Sequence, residues 1–281
     1  MGFYSQAQQG EKRMQKFIGV LILMCGLPVW GITTTDEWQQ GAIIRAQVEP
    51  GVKVEFLGRE VRVAPDGKFV IGLGRDFGTK AEVTTTAADG TRKVHEFAVK
   101  QREYNIQRVT GVPQKTVTPD PEQVERSRRE AALTNAARKQ DLALTYFADS
   151  FIWPLVGRIT GVYGSQRFYN GKPNSPHYGV DVAAPVGTPV VAPAAGVVTL
   201  VHPDMFFSGG TLIIDHGHGL SSTFIHLSKI LVAEGDDIKQ GQEIALVGAT
   251  GRATGPHLDW RMNWFDQRVD PTLLVGPMPR K

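Results

Sequence analysis

The chain has 281 residues, of which 41% are hydrophobic and 21% charged, and its formal net charge is +3. These values are close to globular averages and exclude a wholly disordered chain, a collagen-like repeat and a polytopic membrane protein. The small basic excess argues against a nucleic-acid-binding protein, and a single cysteine excludes an intrachain disulfide and a multi-cysteine zinc cluster.

Residues 1–31 have the composition of a secretory signal peptide. Basic residues within 12–16 precede an apolar run over 17–30, which is the order of a basic n-region and a hydrophobic h-region. The run is short for a membrane span. We therefore predict cleavage after Gly31 and export to the periplasm or cell envelope. The alternative is an uncleaved anchor, so any contact with the membrane is expected only through this segment.

Residues 32–112 are predicted to form a small N-terminal β-sandwich with an immunoglobulin-like architecture. Polar and apolar residues alternate over 43–47, and turn signals stand at 65–67 (Pro-Asp-Gly) and 88–90 (Ala-Asp-Gly). This region is an accessory domain that positions the rest of the protein, holds a partner or covers a groove. The sequence does not choose among these roles.

A linker with a helix is predicted over 113–148, followed by an antiparallel all-β domain over 149–281. Prolines open the linker, and a stretch rich in Arg, Glu and Ala over 122–141 favours a helix that is capped by Asp120. Short apolar stretches separated by Gly or Pro turns predict the strands of the second domain. Together with the β-sandwich they make the chain mainly β.

Two short motifs in the last domain predict a metal site. His177 and Asp181 are four residues apart, and Gly179 between them permits the chain to bend. His257 and Asp259 are two residues apart, so both side chains lie on one face of a strand. Imidazole nitrogen and carboxylate oxygen are zinc ligands, and neither motif needs a cysteine.

A third motif contains His226, at the end of an apolar strand. Alternation along that strand predicts that Phe224 and His226 share a face, and a histidine satisfied by a backbone carbonyl is the alternative to a site residue. His216 and His218 form a further pair in a glycine-rich turn. For that pair a surface role is favoured over a second metal site.

Four motifs occur in a fixed order along the chain. They are His177-xxx-Asp181, the run Ala-Pro-x-Gly-Thr-Pro-Val at 184–190, His226-Leu-Ser, and the stretch from Thr250-Gly to Pro256-His257-Leu. In this order, over about residues 151–275, they resemble the lysostaphin-type zinc metallopeptidases. The resemblance implies the duplicated hybrid motif fold, a small antiparallel β protein with a groove. Most members cut peptides of bacterial peptidoglycan.

The resemblance also implies roles for five residues. His177 and Asp181 match two zinc ligands, and His226 and His257 match the two non-ligand histidines that activate the attacking water and stabilise the tetrahedral intermediate. Asp259 occupies the position of the third ligand, which is usually a histidine. Two carboxylates would weaken the Lewis acidity of Zn²⁺ and make Mn²⁺ a competitor.

The sequence therefore predicts an exported, zinc-dependent endopeptidase that hydrolyses peptide bonds of peptidoglycan. Its partners are peptidoglycan peptides and a division or cell-wall protein, without nucleic acid. Because Asp259 departs from the family pattern, the alternative is a catalytically degenerate module that binds peptidoglycan or activates amidases.

Overall fold

Strands are the main regular structure of the protein in the computed structural model, which describes residues 31–110 and 121–279. The prediction of a mainly β chain is confirmed. Within these two ranges, no helix has both the length and the apolar character that a membrane crossing requires. Residues 1–30 of the predicted signal peptide and the predicted helix cap Asp120 lie outside the described residues.

The N-terminal region contains two antiparallel sheets. Its strands are β1 (Thr33–Thr34), β2 (Ile43–Gln47), β3 (Lys53–Phe56), β4 (Arg59–Val61), β5 (Lys68–Gly72), β6 (Lys80–Thr86), β7 (Arg92–Ala98) and β8 (Ile106–Val109). One sheet has the order β1-β2-β5 and the other β4-β3-β6-β7. Buried and exposed positions alternate along β3 and β6, as the period of two predicts. The immunoglobulin-like arrangement stays a prediction.

The C-terminal region is built around a ten-stranded sheet. Its strands and those beside it are β9 (Arg158–Gly161), β10 (Gln166–Tyr169), β11 (Lys172–Pro173), β12 (Gly179–Ala183), β13 (Pro189–Val191), β14 (Gly196–Met205), β15 (Gly209–Gly217), β16 (Leu220–Ile230), β17 (Asp237–Ile238), β18 (Glu243–Val247), β19 (His257–Trp264) and β20 (Gln267–Val269). The main path of the sheet runs β17-β14-β15-β16-β19-β12-β9. β15 is buried along its whole length and β16 along most of it, so these strands lie at the centre.

The predicted helix is present and ends earlier than expected. Helix α1 spans Pro121–Arg138, whereas the composition favoured 122–141. The Glu130 carboxylate accepts a hydrogen bond from the Phe206 backbone N–H at 2.8 Å, which ties the helix to the β14–β15 hairpin. A 3₁₀ turn at Tyr146–Ala148 and a short helix α2 at Thr272–Val275 complete the helical elements of the described residues.

Strand β8 leaves the N-terminal region and joins a sheet of the C-terminal region. It pairs in parallel with β10 in a three-stranded sheet of order β11-β10-β8. The Gln166 backbone N–H donates to the Asn105 carbonyl at 2.9 Å, and Arg167 Nε donates to Gln107 Oε1 at 3.1 Å. The chain that precedes the linker is therefore part of the β structure that follows it.

The two regions also share one hydrophobic core through Trp264. This side chain is 1% exposed, and its ring centroid lies 5.8 Å from that of Phe56 in the N-terminal region. A Cβ placed on Gly72 would lie 2.6 Å from the Trp264 Cβ, so only glycine fits at that position of β5. Packing across this contact couples the N-terminal sheets to the ten-stranded sheet.

We expect Trp264→Ala to lower the free energy of unfolding by about 3–5 kcal/mol, because a large buried side chain is replaced by a cavity between the regions. Urea unfolding followed by circular dichroism measures this. Val186→Ala is the control, since Val186 is 57% exposed, and we expect a change within about 0.5 kcal/mol there. Equal effects of the two substitutions would contradict the shared core.

Candidate metal centre

The pairing of β12 with β19 places two carboxylates opposite each other. Asp181 is the direct partner of Asp259, and Ala183 is the direct partner of His257. Directly opposed residues of antiparallel strands lie on the same face of the sheet. His257 and Asp259 therefore share a face, as predicted. Trp260, which directly follows Asp259, is fully buried on the other face.

Two glycines give these carboxylates their space. A Cβ on Gly161 of β9 would lie 2.1 Å from Asp181 Oδ2, and a Cβ on Gly179 would lie 2.5 Å from Asp259 Oδ1. The sequence suggested that Gly179 lets the chain bend. In the structure, its absent side chain leaves room for the Asp259 carboxylate.

His177 completes a cluster that fits a metal ion. One ligand atom each from His177, Asp181 and Asp259 lie within 4.8 Å of one another. His177 Nε2 is 3.1 Å from Asp181 Oδ1, and among the described residues both atoms are buried without a hydrogen-bond partner. Buried polar atoms are normally satisfied. Apart from facing each other, these two atoms have no partner among the described residues, and both are of the ligand types that zinc accepts, so a divalent metal fits between them.

Arg261, which the sequence analysis did not single out, forms an ion pair with Asp259. Its Nε lies 3.0 Å from Asp259 Oδ1 and 3.1 Å from Oδ2, and the Asp259 carboxylate is almost fully buried. Burial alone would raise the pKa of Asp259, but the Arg261 guanidinium lowers it below its ordinary value. Asp259 is therefore a carboxylate, and its remaining lone pairs are free to bind a metal.

The ion pair changes the charge of the candidate ligand set. Asp181 and Asp259 contribute two negative charges and Arg261 one positive charge, which leaves one net negative charge beside a neutral imidazole. That is the formal charge of a site with one carboxylate and two imidazoles. The predicted loss of Lewis acidity from a second carboxylate is therefore opposed by a guanidinium in contact with that carboxylate.

The electrostatics of His177 reflect the same two carboxylates. Burial alone would lower the pKa of His177, but its contact with Asp181 and the negative charge of Asp259 raise it above its ordinary value. A cation is thus favoured at this imidazole, and a proton and a divalent metal would compete for its nitrogen.

His226 and His257 lie beside the cluster, with their ring planes tilted by 50° to each other and His257 Nε2 3.9 Å from Asp181 Oδ1. Their ring centroids are 4.8 Å apart. His226 Nδ1 is 2.8 Å from the Thr250 carbonyl and His257 Nδ1 is 2.8 Å from the Gly255 carbonyl. A carbonyl only accepts, so in each neutral ring Nδ1 carries the proton and Nε2 is left as a base. Burial lowers the pKa of His226, which keeps its ring neutral at neutral pH.

The prediction that Phe224 and His226 share a face is wrong. Phe224 is paired with Trp260 on the core face, whereas Ile225 is paired with Asp259 on the face of the cluster. Alternation would send His226 to the core. Its φ of 66° breaks the alternation and turns its ring towards His257, and strained backbone of this kind is common at functional sites.

The prediction of a surface role for His216 and His218 is also wrong. Both side chains are buried. His216 bonds the Ala195 carbonyl at 2.7 Å and Ser222 Oγ at 2.9 Å, and burial lowers its pKa to about 4. The His218 ring lies 4.5 Å from the Phe147 ring. Neither belongs to the metal-ligand cluster found among the described residues, so their roles are in packing.

A family comparison agrees with the motifs on which the site was predicted. The sequence model of Peptidase family M23 matches residues 175–271. A crystal structure of a candidate M23 peptidase from Pseudomonas aeruginosa is similar over 86% of this chain and 96% of that chain, with 30% sequence identity and a TM-score of 0.68. That similarity extends beyond the segment that contains the cluster.

Curated relatives are similar over the C-terminal region. Peptidoglycan DD-endopeptidase ShyA of Vibrio cholerae is 44% identical over 108 residues, which are 37% of this chain and 24% of that protein. DD-carboxypeptidase/endopeptidase Mpg of Neisseria meningitidis serogroup B is 41% identical over 103 residues, with coverage of 37% and 24%. The chain thus spans about a quarter of the length of these relatives.

We expect Arg261→Gln to destabilise the metal-free protein by about 3 kcal/mol, because it leaves the Asp259 carboxylate buried without its partner. Added Zn²⁺ should then stabilise this variant more than the wild type, since the metal replaces the lost positive charge. Thermal unfolding with and without Zn²⁺ measures both effects.

The matched control is Arg128→Gln, which removes an arginine on α1 that is 77% exposed and does not line the groove of the cluster. We expect the same gain from Zn²⁺ there as in the wild type. If Zn²⁺ stabilises Arg261→Gln no more than the wild type, Asp259 is not a ligand.

Proposed function

The chain belongs to peptidase family M23, and on this premise we propose that it is a metal-dependent endopeptidase that hydrolyses peptide bonds of bacterial peptidoglycan. The cluster of His177, Asp181 and Asp259 supports the proposal most directly, because two of its buried ligand atoms have no other partner in the described residues. The proposed substrate class follows the names of the curated relatives.

We assign these three residues as the ligands of a Zn²⁺ ion. Imidazole nitrogen and carboxylate oxygen are both common zinc ligands, and the excess of oxygen makes Mn²⁺ the competitor. The chemistry supplied when the metal is bound is polarisation of the scissile carbonyl and a lower pKa of the attacking water. Arg261 keeps Asp259 ionised and oriented through their ion pair.

His226 and His257 are the proposed acid–base pair. One ring, in its neutral form with the proton on Nδ1, accepts the proton of the attacking water at Nε2. The other, in its protonated form, donates its Nε2–H to the charged oxygen of the intermediate, so the pair needs one neutral and one protonated imidazole. The backbone carbonyls of Thr250 and Gly255 accept the Nδ1–H of the two rings.

Export and domain organisation are part of the proposal. The basic and apolar segments over 12–30 and the location of peptidoglycan outside the cytoplasmic membrane support an exported protein, with cleavage after Gly31. We retain 32–112 as an accessory domain, 113–148 as a linker and 149–281 as the peptidase domain.

The second candidate is a catalytically degenerate module that binds peptidoglycan or regulates a partner. The ion pair of Asp259 with Arg261 favours it, because both carboxylate oxygens are already engaged. The facing atoms of His177 and Asp181 favour the enzyme, because they are 3.1 Å apart with no further partner among the described residues, and a bound metal would satisfy both.

We expect Asp181→Asn and Asp259→Asn each to remove bound zinc and to lower hydrolysis by more than about 100-fold, the upper loss seen for partners that only orient ligands. Zinc content by mass spectrometry and release of muropeptides from purified peptidoglycan are the measurements. Asp237→Asn is the control, because Asp237 is exposed.

A folded wild-type protein that holds no metal in micromolar Zn²⁺ and releases nothing would overturn the proposed enzyme. Retained zinc and hydrolysis in Asp259→Asn alone would remove Asp259 from the ligand set. Bound zinc without hydrolysis in the wild type would favour the binding module.

A further inference from the structure

The groove around the metal cluster has more positively than negatively charged residues in its lining. Its volume is about 1010 Å³, and its charged lining consists of two aspartates and five arginines. Both aspartates, Asp181 and Asp259, are in the proposed ligand set. The arginines are Arg158, Arg167, Arg252, Arg261 and Arg268. Apart from Arg261, none of them has a carboxylate partner within the described residues.

Arg158 lies near the cluster, on strand β9, which is next to β12 in the sheet. It is the direct partner of Ala183 across β9 and β12, and Ala183 is the direct partner of His257 across β12 and β19. All three therefore share a face of the sheet. Two strand spacings place the Arg158 and His257 backbones about 10 Å apart. Arg158 is exposed, so its long side chain is free to reach a ligand in the groove.

Arg252 lies in the loop that leads into His257. Its backbone N–H donates to the Phe207 carbonyl at 2.9 Å, and its guanidinium carbon lies 5.2 Å from the centre of the Phe207 ring. A guanidinium that stacks on a ring still has its N–H groups available at the edge. Arg252 is therefore held in place while its donors remain open to a carboxylate.

Arg268 is a half-buried cation that also lines the groove. It is the partner of Asn263, beyond the segment of β19 that contains Asp259, and its guanidinium carbon lies 4.8 Å from the centre of the Tyr178 ring. Burial, followed by the positive charge of Arg261, lowers the pKa of Arg268. An anionic ligand would offset the unfavourable burial of this charge.

We propose that this groove is an anion-binding site that selects acidic peptides, with free carboxylates close to the scissile bond recognised by Arg158, Arg252 and Arg268. The proposal rests on the proposed peptidase function for the identity of the scissile bond, and adds the chemical class of the substrate. Guanidinium groups bind carboxylates in a bidentate manner and lose most of that interaction when the carboxylate becomes an amide.

The test compares two peptides that differ only in whether the carboxylates next to the scissile bond are free or converted to carboxamides. With the full chain loaded with Zn²⁺, we expect kcat/KM for the acidic peptide to be at least about tenfold higher than for the carboxamide peptide, which corresponds to about 1.4 kcal/mol. Arg158→Gln and Arg252→Gln should each reduce this preference about threefold, mainly through KM. The preference should also fall as the salt concentration rises.

Arg128→Gln is the matched control, because Arg128 is an arginine on α1 that is 77% exposed and is not part of the groove lining. It should leave the preference unchanged. Equal hydrolysis of the two peptides, or a preference that neither groove variant reduces, would overturn the anion site while the peptidase function stands.

A binding measurement separates the two proposals when nothing is hydrolysed. Fluorescence anisotropy with the same labelled peptides and the full chain treated with EDTA reports affinity without turnover. Tighter binding of the acidic peptide that Arg158→Gln and Arg252→Gln weaken supports the anion site even if the enzyme proposal fails. Equal affinity for both peptides overturns it.

Discussion

The candidate metal centre depends on the register in which β12 pairs with β19. That register sets Asp181 opposite Asp259 and fixes which side chains lie in the core. Shifting one strand by a single residue would move every one of its side chains to the other face. Trp260 is fully buried on the core face, so its hydrophobic burial opposes such a shift. The packing of an apolar side chain thereby determines where two carboxylates meet.

Much of this site could be predicted from local sequence. The spacing of two between His257 and Asp259 specifies a common face of a strand, and the spacing of four from His177 to Asp181 requires only a short loop before one. Arg261 follows Asp259 at the same spacing of two, which predicts that it lies on the same face of the strand. The spacing does not predict that the two side chains form an ion pair.

The remaining features depend on contacts between distant parts of the chain. His226 leaves the alternation of its strand because of a backbone conformation that no composition rule indicates. His216 and His218 are buried because the segment around Leu142 covers their turn, with the His218 N–H donating to the Leu142 carbonyl at 2.9 Å. A glycine-rich turn with two histidines gives no local sign of that cover. The net charge of +3 similarly gives no sign of a groove with five arginines.

The parallel pairing of β8 with β10 builds one wall of the groove from two segments that are about 60 positions apart in the chain. The contact of Arg167 with Gln107 is an example. A fragment that starts at residue 149 would keep every proposed ligand and both histidines. It would nevertheless lose one side of the groove and expose the backbone donors and acceptors of β10 that pair with β8, and an open strand edge invites association with other chains. The C-terminal region therefore depends on a strand that precedes the linker.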